Sequence, residues 1–170
     1  MRHAKSSWDD PKLSDHARPL NTRGKQAAGA MRTVMRQLGL VPDVVLVSSA
    51  RRTLQTLEAL QPWDETPIVE PMDALYLADA EQMIRVLHSV TPTVRSVLVL
   101  AHNPGLHEMA MLLMDDSDGV VTSQSRRLAE GYPTGALTEF AISVAWNELA
   151  AGRGRLTRFL GPRDFPDLAA

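Results

Sequence analysis

Two short apolar runs constrain this chain more than any other feature. Val44-Val45-Leu46-Val47-Ser48 and Ser96-Val97-Leu98-Val99-Leu100-Ala101 are aliphatic and largely β-branched, without the polar alternation of a half-exposed strand. Runs of this kind read as strands buried on both faces, the mark of a parallel sheet covered by helices. A helical pattern follows each one. The first spans about Arg51 to Leu60 and ends near Pro62. The second runs to about Leu113, with Asn103 as its cap and Pro104 at its first position, where proline's fixed φ and missing N–H do no harm. Thr22 reads as the cap of a further helix from about Arg23 to Leu38, closed by Gly39. Ala80 to Val90 places Met83, Ile84 and Leu87 at helical spacing.

Ile68-Val69-Glu70 reads as a short strand. Ala136–Val144 and Leu156–Leu160 read as late strands, the former partly polar and near an edge. Residues 6–24 and 115–132 lack an apolar period and read as loops. Strands alternating with helices imply an α/β fold with helices on both faces of the sheet. In such folds ligands bind at the carboxyl ends of the strands. Ser48-Ser49-Ala50-Arg51-Arg52 and His102-Asn103-Pro104-Gly105 stand at two such ends.

The 170 residues suffice for one domain, expected to span 1–170. A formal net charge of -2 provides no basic field for nucleic acid or a membrane surface. The absence of cysteine excludes a disulfide scaffold, a thiol nucleophile and thiolate metal sites, and suits a reducing cytoplasm, the expected location. No apolar run approaches the length that spans a bilayer, and the first residues are too polar for a signal peptide.

The chemistry concentrates in Arg2-His3, Ser48 through Thr56, and His102-Asn103. A neutral imidazole can attack phosphorus directly and form a phosphohistidine that water later hydrolyses. That step asks little more of a protein than positioning and positive charge around the phosphoryl oxygens. Arginine suits the second task through its planar, permanently charged fork. Arg2, Arg52 and Arg18 are the candidate clamp, and His102 a further donor. Taken singly, each segment has an ordinary reading: a surface histidine, a solvated helix start, a helix opening. Their joint placement at strand-to-helix junctions favours a phosphoryl site. His16, His88 and His107 lack that context and read as structural or surface residues. Trp8, Trp63 and Trp146 read as packing residues.

Asp116-Ser117-Asp118-Gly119-Val120 matches the D-x-D-G-V pattern of aspartate-nucleophile phosphatases. That chemistry needs the first aspartate at a strand end and a lysine downstream. Here the preceding stretch has helical spacing and no lysine follows Lys25, so the segment reads as an acidic surface turn.

Arg2-His3-Ala4-Lys5, Asp15-His16-Ala17-Arg18-Pro19-Leu20, Thr22-Arg23-Gly24, Ser48 through Thr56 and His102-Asn103-Pro104-Gly105 together resemble the histidine phosphatase superfamily, and within it the small bacterial SixA-type phosphohistidine phosphatases. The likeness extends over roughly residues 2–160 and takes in Leu75-Tyr76-Leu77 and Tyr132 through Ala136. It implies a phosphoglycerate mutase-like fold, a three-layer α/β/α sandwich with a mostly parallel sheet. It implies His3 as the phosphorylated nucleophile, Arg2 and Arg52 as phosphoryl ligands and His102 as the second pocket histidine. Arg52 is chosen over Arg51 because the family's arginine stands three residues before a Q-T pair, here Gln55-Thr56. Ser48 and Asn103 are weaker substrate-binding candidates, and Arg18 either joins the clamp or anchors the loop with Asp15.

Larger relatives add a carboxylic acid that protonates an oxygen leaving group. Only Glu70 and Asp73 lie in the corresponding stretch, and no motif fixes either. An alkoxide leaves poorly without a proton donor. Imidazole, with a pKa of about 6.5, can leave already protonated near neutral pH. The expected activity is therefore phosphohistidine dephosphorylation, on a protein or on the free phosphoamino acid, without metal or other cofactor. The alternatives are a small-molecule phosphomonoesterase on the same fold, with Glu70 or Asp73 as acid, and a non-catalytic phosphate- or partner-binding module. The family also carries an apolar central strand before its R-H pair, whereas here Met1 directly precedes Arg2. The expectation is either a sheet without its usual first strand or a chain begun upstream of this Met1. The first is costly where it leaves neighbouring backbone groups unpaired.

Overall fold

The computed structural model describes residues 1–115, 117 and 119–168. Asp116 and Asp118 of the D-x-D-G-V segment lie outside the described residues. The two apolar runs form parallel neighbours, β1 (Val44–Ser48) and β3 (Val97–Leu100), with β2 (Ile68–Met72) on the far side of β1. The late strands β4 (Leu137–Ile142) and β5 (Gly154–Leu160) form an antiparallel pair, with a register irregularity between Glu139 and Phe140.

Residues 1–3 join the two sheets. Arg2 bridges Ala101 in parallel register, the His3 N–H donates to the Ala101 carbonyl (3.1 Å), and the Ala101 N–H donates to the Met1 carbonyl (3.2 Å). On the other side the Arg2 N–H donates to Ala136 (2.9 Å), and the Gly135 N–H donates to His3 (3.0 Å). Three residues thus fill the position between β3 and β4 at the end of the sheet where the site lies. An apolar cavity of about 380 Å³ is lined by Met1, Val97, Val99, Leu137 and Phe140 among others.

Among the described residues, five α-helices cover the sheet: α1 (Thr22–Gln37), α2 (Arg51–Leu60), α3 (Ala80–His88), α4 (Gly105–Leu113) and α5 (Ser123–Glu130). The strand side chains alternate between two cores, as the period of two requires. Val45, Val47, Leu98 and Leu100 pack against Met31 and Met35 of α1 and Leu57 and Leu60 of α2. Val44, Leu46 and Val99 face Met83 and Leu87 of α3, Leu106 and Met109 of α4 and Leu128 of α5. These layers are the expected α/β/α sandwich.

Local chemistry corrects several expected boundaries. The α1 cap is Asn21, whose Oδ1 accepts the Gly24 N–H at 2.8 Å, so Thr22 is already helical. Asn103 does not cap α4: Pro104 occupies the cap position, α4 begins at Gly105, and the Asn103 amide instead donates to the Tyr132 carbonyl. Gly105 is required by packing, because a Cβ there would lie 1.9 Å from the Ala78 carbonyl oxygen. Within the stretch read as loop, Ser123–Glu130 is a helix, opened by a reciprocal Thr122–Ser125 capping box.

The Met1 nitrogen also lies inside the sheet, donating to the Val99 carbonyl at 2.7 Å.

Candidate active site

The carboxyl ends of β1 and β3 and residues 2–4 converge on one cluster. His3 is 7% and His102 1% exposed, and their ring centroids are 5.1 Å apart. Arg52, 4% exposed at the start of α2, lies between them. Its Nε donates to His3 Nε2 (3.4 Å), one terminal nitrogen reaches His102 Nδ1 (3.1 Å) and Asp15 Oδ2 (3.0 Å), and the other donates to the Asp15 carbonyl (2.6 Å).

The partners assign both tautomers, because an arginine N–H only donates and a carbonyl only accepts. His3 Nδ1 lies 2.7 Å from the Ala4 carbonyl and carries the proton, so the Nε2 lone pair accepts from Arg52. His102 Nδ1 accepts from Arg52, so its Nε2–H donates to Ser48 Oγ at 2.7 Å. Desolvation is the leading reason that both histidines hold protons weakly, with Arg52 and Arg2 adding to it; His3 is lowered to about 4 and His102 to about 3. For His3, the Ala4 hydrogen bond and the Asp15 charge pull the other way.

The Gln55-Thr56 pair acts through structure. Thr56 Oγ1 accepts the Ala4 N–H (3.0 Å) and donates to the Arg52 carbonyl (2.7 Å), which ties His3's neighbour to the helix bearing Arg52. Gln55 Oε1 accepts the Leu20 N–H and closes the loop over the cluster. Arg2 donates from Nη1 to the Tyr132 carbonyl (2.8 Å), the acceptor that Asn103 also uses. The buried Arg2 Nε and Asn103 Oδ1 find no partner among the described residues. Burial and the Arg52 charge depress the Arg2 pKa.

Not every candidate joins the cluster. All three Arg18 guanidinium nitrogens serve the loop, on the Ser7 carbonyl, Asp15 and Ser6 Oγ, and the exposed Trp8 ring stacks 3.1 Å from its Cζ. Trp8 therefore lies over a cation, while Trp146 sits in the core's margin and donates to the Val94 carbonyl. Glu70 is exposed in mid β2, opposite Leu46, away from the strand ends. Asp73, in a 3-10 turn after β2, accepts from Ser49 Oγ at 2.5 Å at the rim. His88 and His107 cap the Leu149 and Leu128 carbonyls from distant positions, as structural residues.

Three rim residues are brought in by tertiary structure. Tyr76 donates to Asp15 Oδ2 (2.7 Å) and meets His102 edge-on at 5.5 Å between ring centroids. Leu77 beside it holds φ +50, a conformation that costs a non-glycine residue free energy and directs this turn. Burial opposes ionisation of Asp15, but Tyr76 and Arg52 outweigh it and hold the carboxyl below its ordinary range. His16 bonds Ser49 Oγ (3.0 Å) and packs edge-on against Tyr76 at 4.8 Å. Only the D-H-A-R-P-L segment hinted at Asp15 and His16, and Tyr76 had no signal beyond its place in L-Y-L.

No protein-family model matches the chain. An uncharacterized protein of Mycobacterium tuberculosis is 32% identical over 166 residues, which cover 96% of this chain and all of that one. Among solved structures, a candidate phosphohistidine phosphatase SixA from Nakamurella multipartitia superposes with a TM-score of 0.83 at 26% identity, over 95% of this chain and 93% of that one. The corresponding SixA candidate from Agrobacterium tumefaciens gives 0.77 at 27%, over 95% and 94%.

The low proton affinity of both buried histidines has a direct consequence. In the free protein neither His3 nor His102 should titrate between pH 5 and 8, as followed by imidazole NMR shifts. The unfolded histidines bind protons below about 6.5 that the folded ones refuse, so stability should fall as pH drops from about 6.5 toward 4. A midpoint near 6.5 for either ring contradicts the assignment.

Proposed function

The chain belongs to the histidine phosphatase superfamily, in its SixA-type branch, and on that footing we propose that it is a metal-independent phosphohistidine phosphatase working through a phosphoryl-His3 intermediate. The observation that carries this reading is His3 itself. Its Nδ1 proton is committed to the Ala4 carbonyl, and its unprotonated Nε2 accepts from a buried arginine. Few other duties fit a neutral imidazole held with its lone pair inside a cationic pocket.

The first step is attack of His3 Nε2 on phosphorus. The P–N bond of the substrate breaks, and its electron pair stays with the leaving imidazole, which departs neutral if its other nitrogen is protonated. Arg2 and Arg52 neutralise the phosphoryl oxygens, assisted by the positive ends of α2 and α4. A dianionic phosphoryl group beside His102 raises its proton affinity and makes it a further donor. Ser48 holds His102 by the opposite nitrogen, and Asn103 shares Tyr132 with Arg2. In the second step water attacks the phosphoryl-His3, releases inorganic phosphate and returns the lone pair to Nε2; the water's second proton leaves with phosphate or solvent.

Substrate class follows from the leaving group. Arg52 and His102 stand against His3; Asp15 is ionised and engaged by Arg52, Arg18 and Tyr76. Neither Glu70, exposed in mid-strand, nor Asp73, accepting a hydroxyl proton, is arranged to hand a proton to an alkoxide. The SixA-named neighbours fit the same substrate class. We read the chain as one domain over 1–170, soluble and cytoplasmic, meeting a phosphohistidine-bearing protein or the free phosphoamino acid.

A phosphohistidine hydrolysis assay tests the reading. Wild type should turn over phosphohistidine with or without EDTA, and faster than alkyl phosphates. His3→Ala should lose about a thousandfold or more in kcat, and Arg52→Ala about a hundredfold. Full turnover by His3→Ala removes the proposed nucleophile. Preference for alkyl phosphates supports the phosphomonoesterase alternative, and phosphate binding without turnover the non-catalytic one.

A further inference from the structure

The rim histidine has a geometry that the phosphoryl chemistry leaves unused. Ser49 Oγ donates its only proton to Asp73 Oδ1 at 2.5 Å. The contact between His16 Nε2 and that same oxygen, at 3.0 Å, must therefore carry the proton on nitrogen. The chain Asp73–Ser49–His16 thus holds the His16 Nε2–H and orients the ring, leaving Nδ1 outside these contacts.

The ring is held as well as polarised. Tyr76 packs edge-on against His16 at 4.8 Å and against His102 at 5.5 Å, so His16 stands one ring beyond the phosphoryl pocket. The charged and titratable groups around it are Asp15, the neighbouring residue; Arg51, whose N–H donates to the His16 carbonyl at 3.0 Å; Arg52, whose Cζ lies 5.9 Å from the Tyr76 ring; Tyr76; and Asp73.

We propose that His16 is the proton donor to the leaving imidazole, with Ser49 and Asp73 as positioning residues. The inference rests on the phosphohistidine reading above. A phosphorylated imidazole does not need its proton at the bond that breaks. It needs it on the other ring nitrogen, one ring's width farther from phosphorus, so that the P–N electron pair leaves on a neutral imidazole. A donor to that atom belongs beyond the residues that hold the phosphoryl group, and His16 stands there, across Tyr76 from His102. His16 Nδ1–H gives its proton to that nitrogen as the P–N bond breaks and the His3–P bond forms. His16 becomes neutral, and a proton from solvent restores it before the next turnover.

The test compares phosphohistidine with p-nitrophenyl phosphate, whose leaving group departs without a proton. His16→Gln places an amide N–H at the Nε2 position for Ser49 but has no ring nitrogen that could give up a proton. It should lower kcat on phosphohistidine about a hundredfold, with a loss on p-nitrophenyl phosphate at least tenfold smaller. Ser49→Ala and Asp73→Asn should give smaller losses with the same substrate preference. Equal losses on both substrates, or none, overturn the role of His16 while leaving the phosphatase reading intact. Wild type inactive on phosphohistidine overturns the reading itself, and this inference with it.

Discussion

Arg52 is the residue on which the rest of the site depends. One buried guanidinium touches His3, His102 and Asp15, and so ties together the N-terminal segment, the end of β3, the first turn of α2 and the long loop before α1. Burying such a charge is costly without partners. Here Asp15 is the partner, itself held by Tyr76 and Arg18. The loop between the N-terminal segment and α1 is thus part of the site's electrostatics, which explains why its sequence carries Asp15 and Arg18 at a spacing of three.

The same arrangement would resolve a conflict that the proposed nucleophilic histidine chemistry carries. A pocket for a phosphoryl group must be positive, yet its nucleophile must be uncharged. Desolvation keeps both imidazoles neutral, and Arg52 and Arg2 reinforce that neutrality while supplying the positive charge. Backbone contacts then decide which nitrogen is free. The Ala4 carbonyl takes the His3 Nδ1 proton, and Thr56 pins Ala4 by its N–H. The orientation of His3 thus rests on this bond between the N-terminal segment and α2, above a core in which Met1, Leu57 and Leu60 lie together.

Much of this was legible in the sequence. β1 matches its apolar run residue for residue, β3 fills the interior of the second run, and α2 has the expected bounds, because buried strands and a strongly patterned helix leave unambiguous periodicity. His3, Arg52, His102 and Ser48 come together as their motif positions implied. What escaped was tertiary or weakly patterned. α5 has one buried residue, Leu128, so it shows no apolar stripe and is recognised only by its cap. Asn21 and Thr22 are both good caps, and the side-chain bond to Gly24 decides between them. His16 and Tyr76 sit in segments without period, and only the folded chain brings them together. Residues 1–3 fill their place in the sheet through pairings with positions about a hundred residues away, which no local pattern encodes.

The central claim is that His3 Nε2 carries the phosphoryl group during turnover. Mixing the enzyme with a phosphohistidine donor, quenching in alkali within the first turnover and mapping peptides by mass spectrometry tests it directly. The account predicts a base-stable, acid-labile phosphoryl group on the N-terminal peptide, localised to His3. A phosphoryl group on His102, His16 or a serine, or none on an enzyme that is turning over, would contradict it.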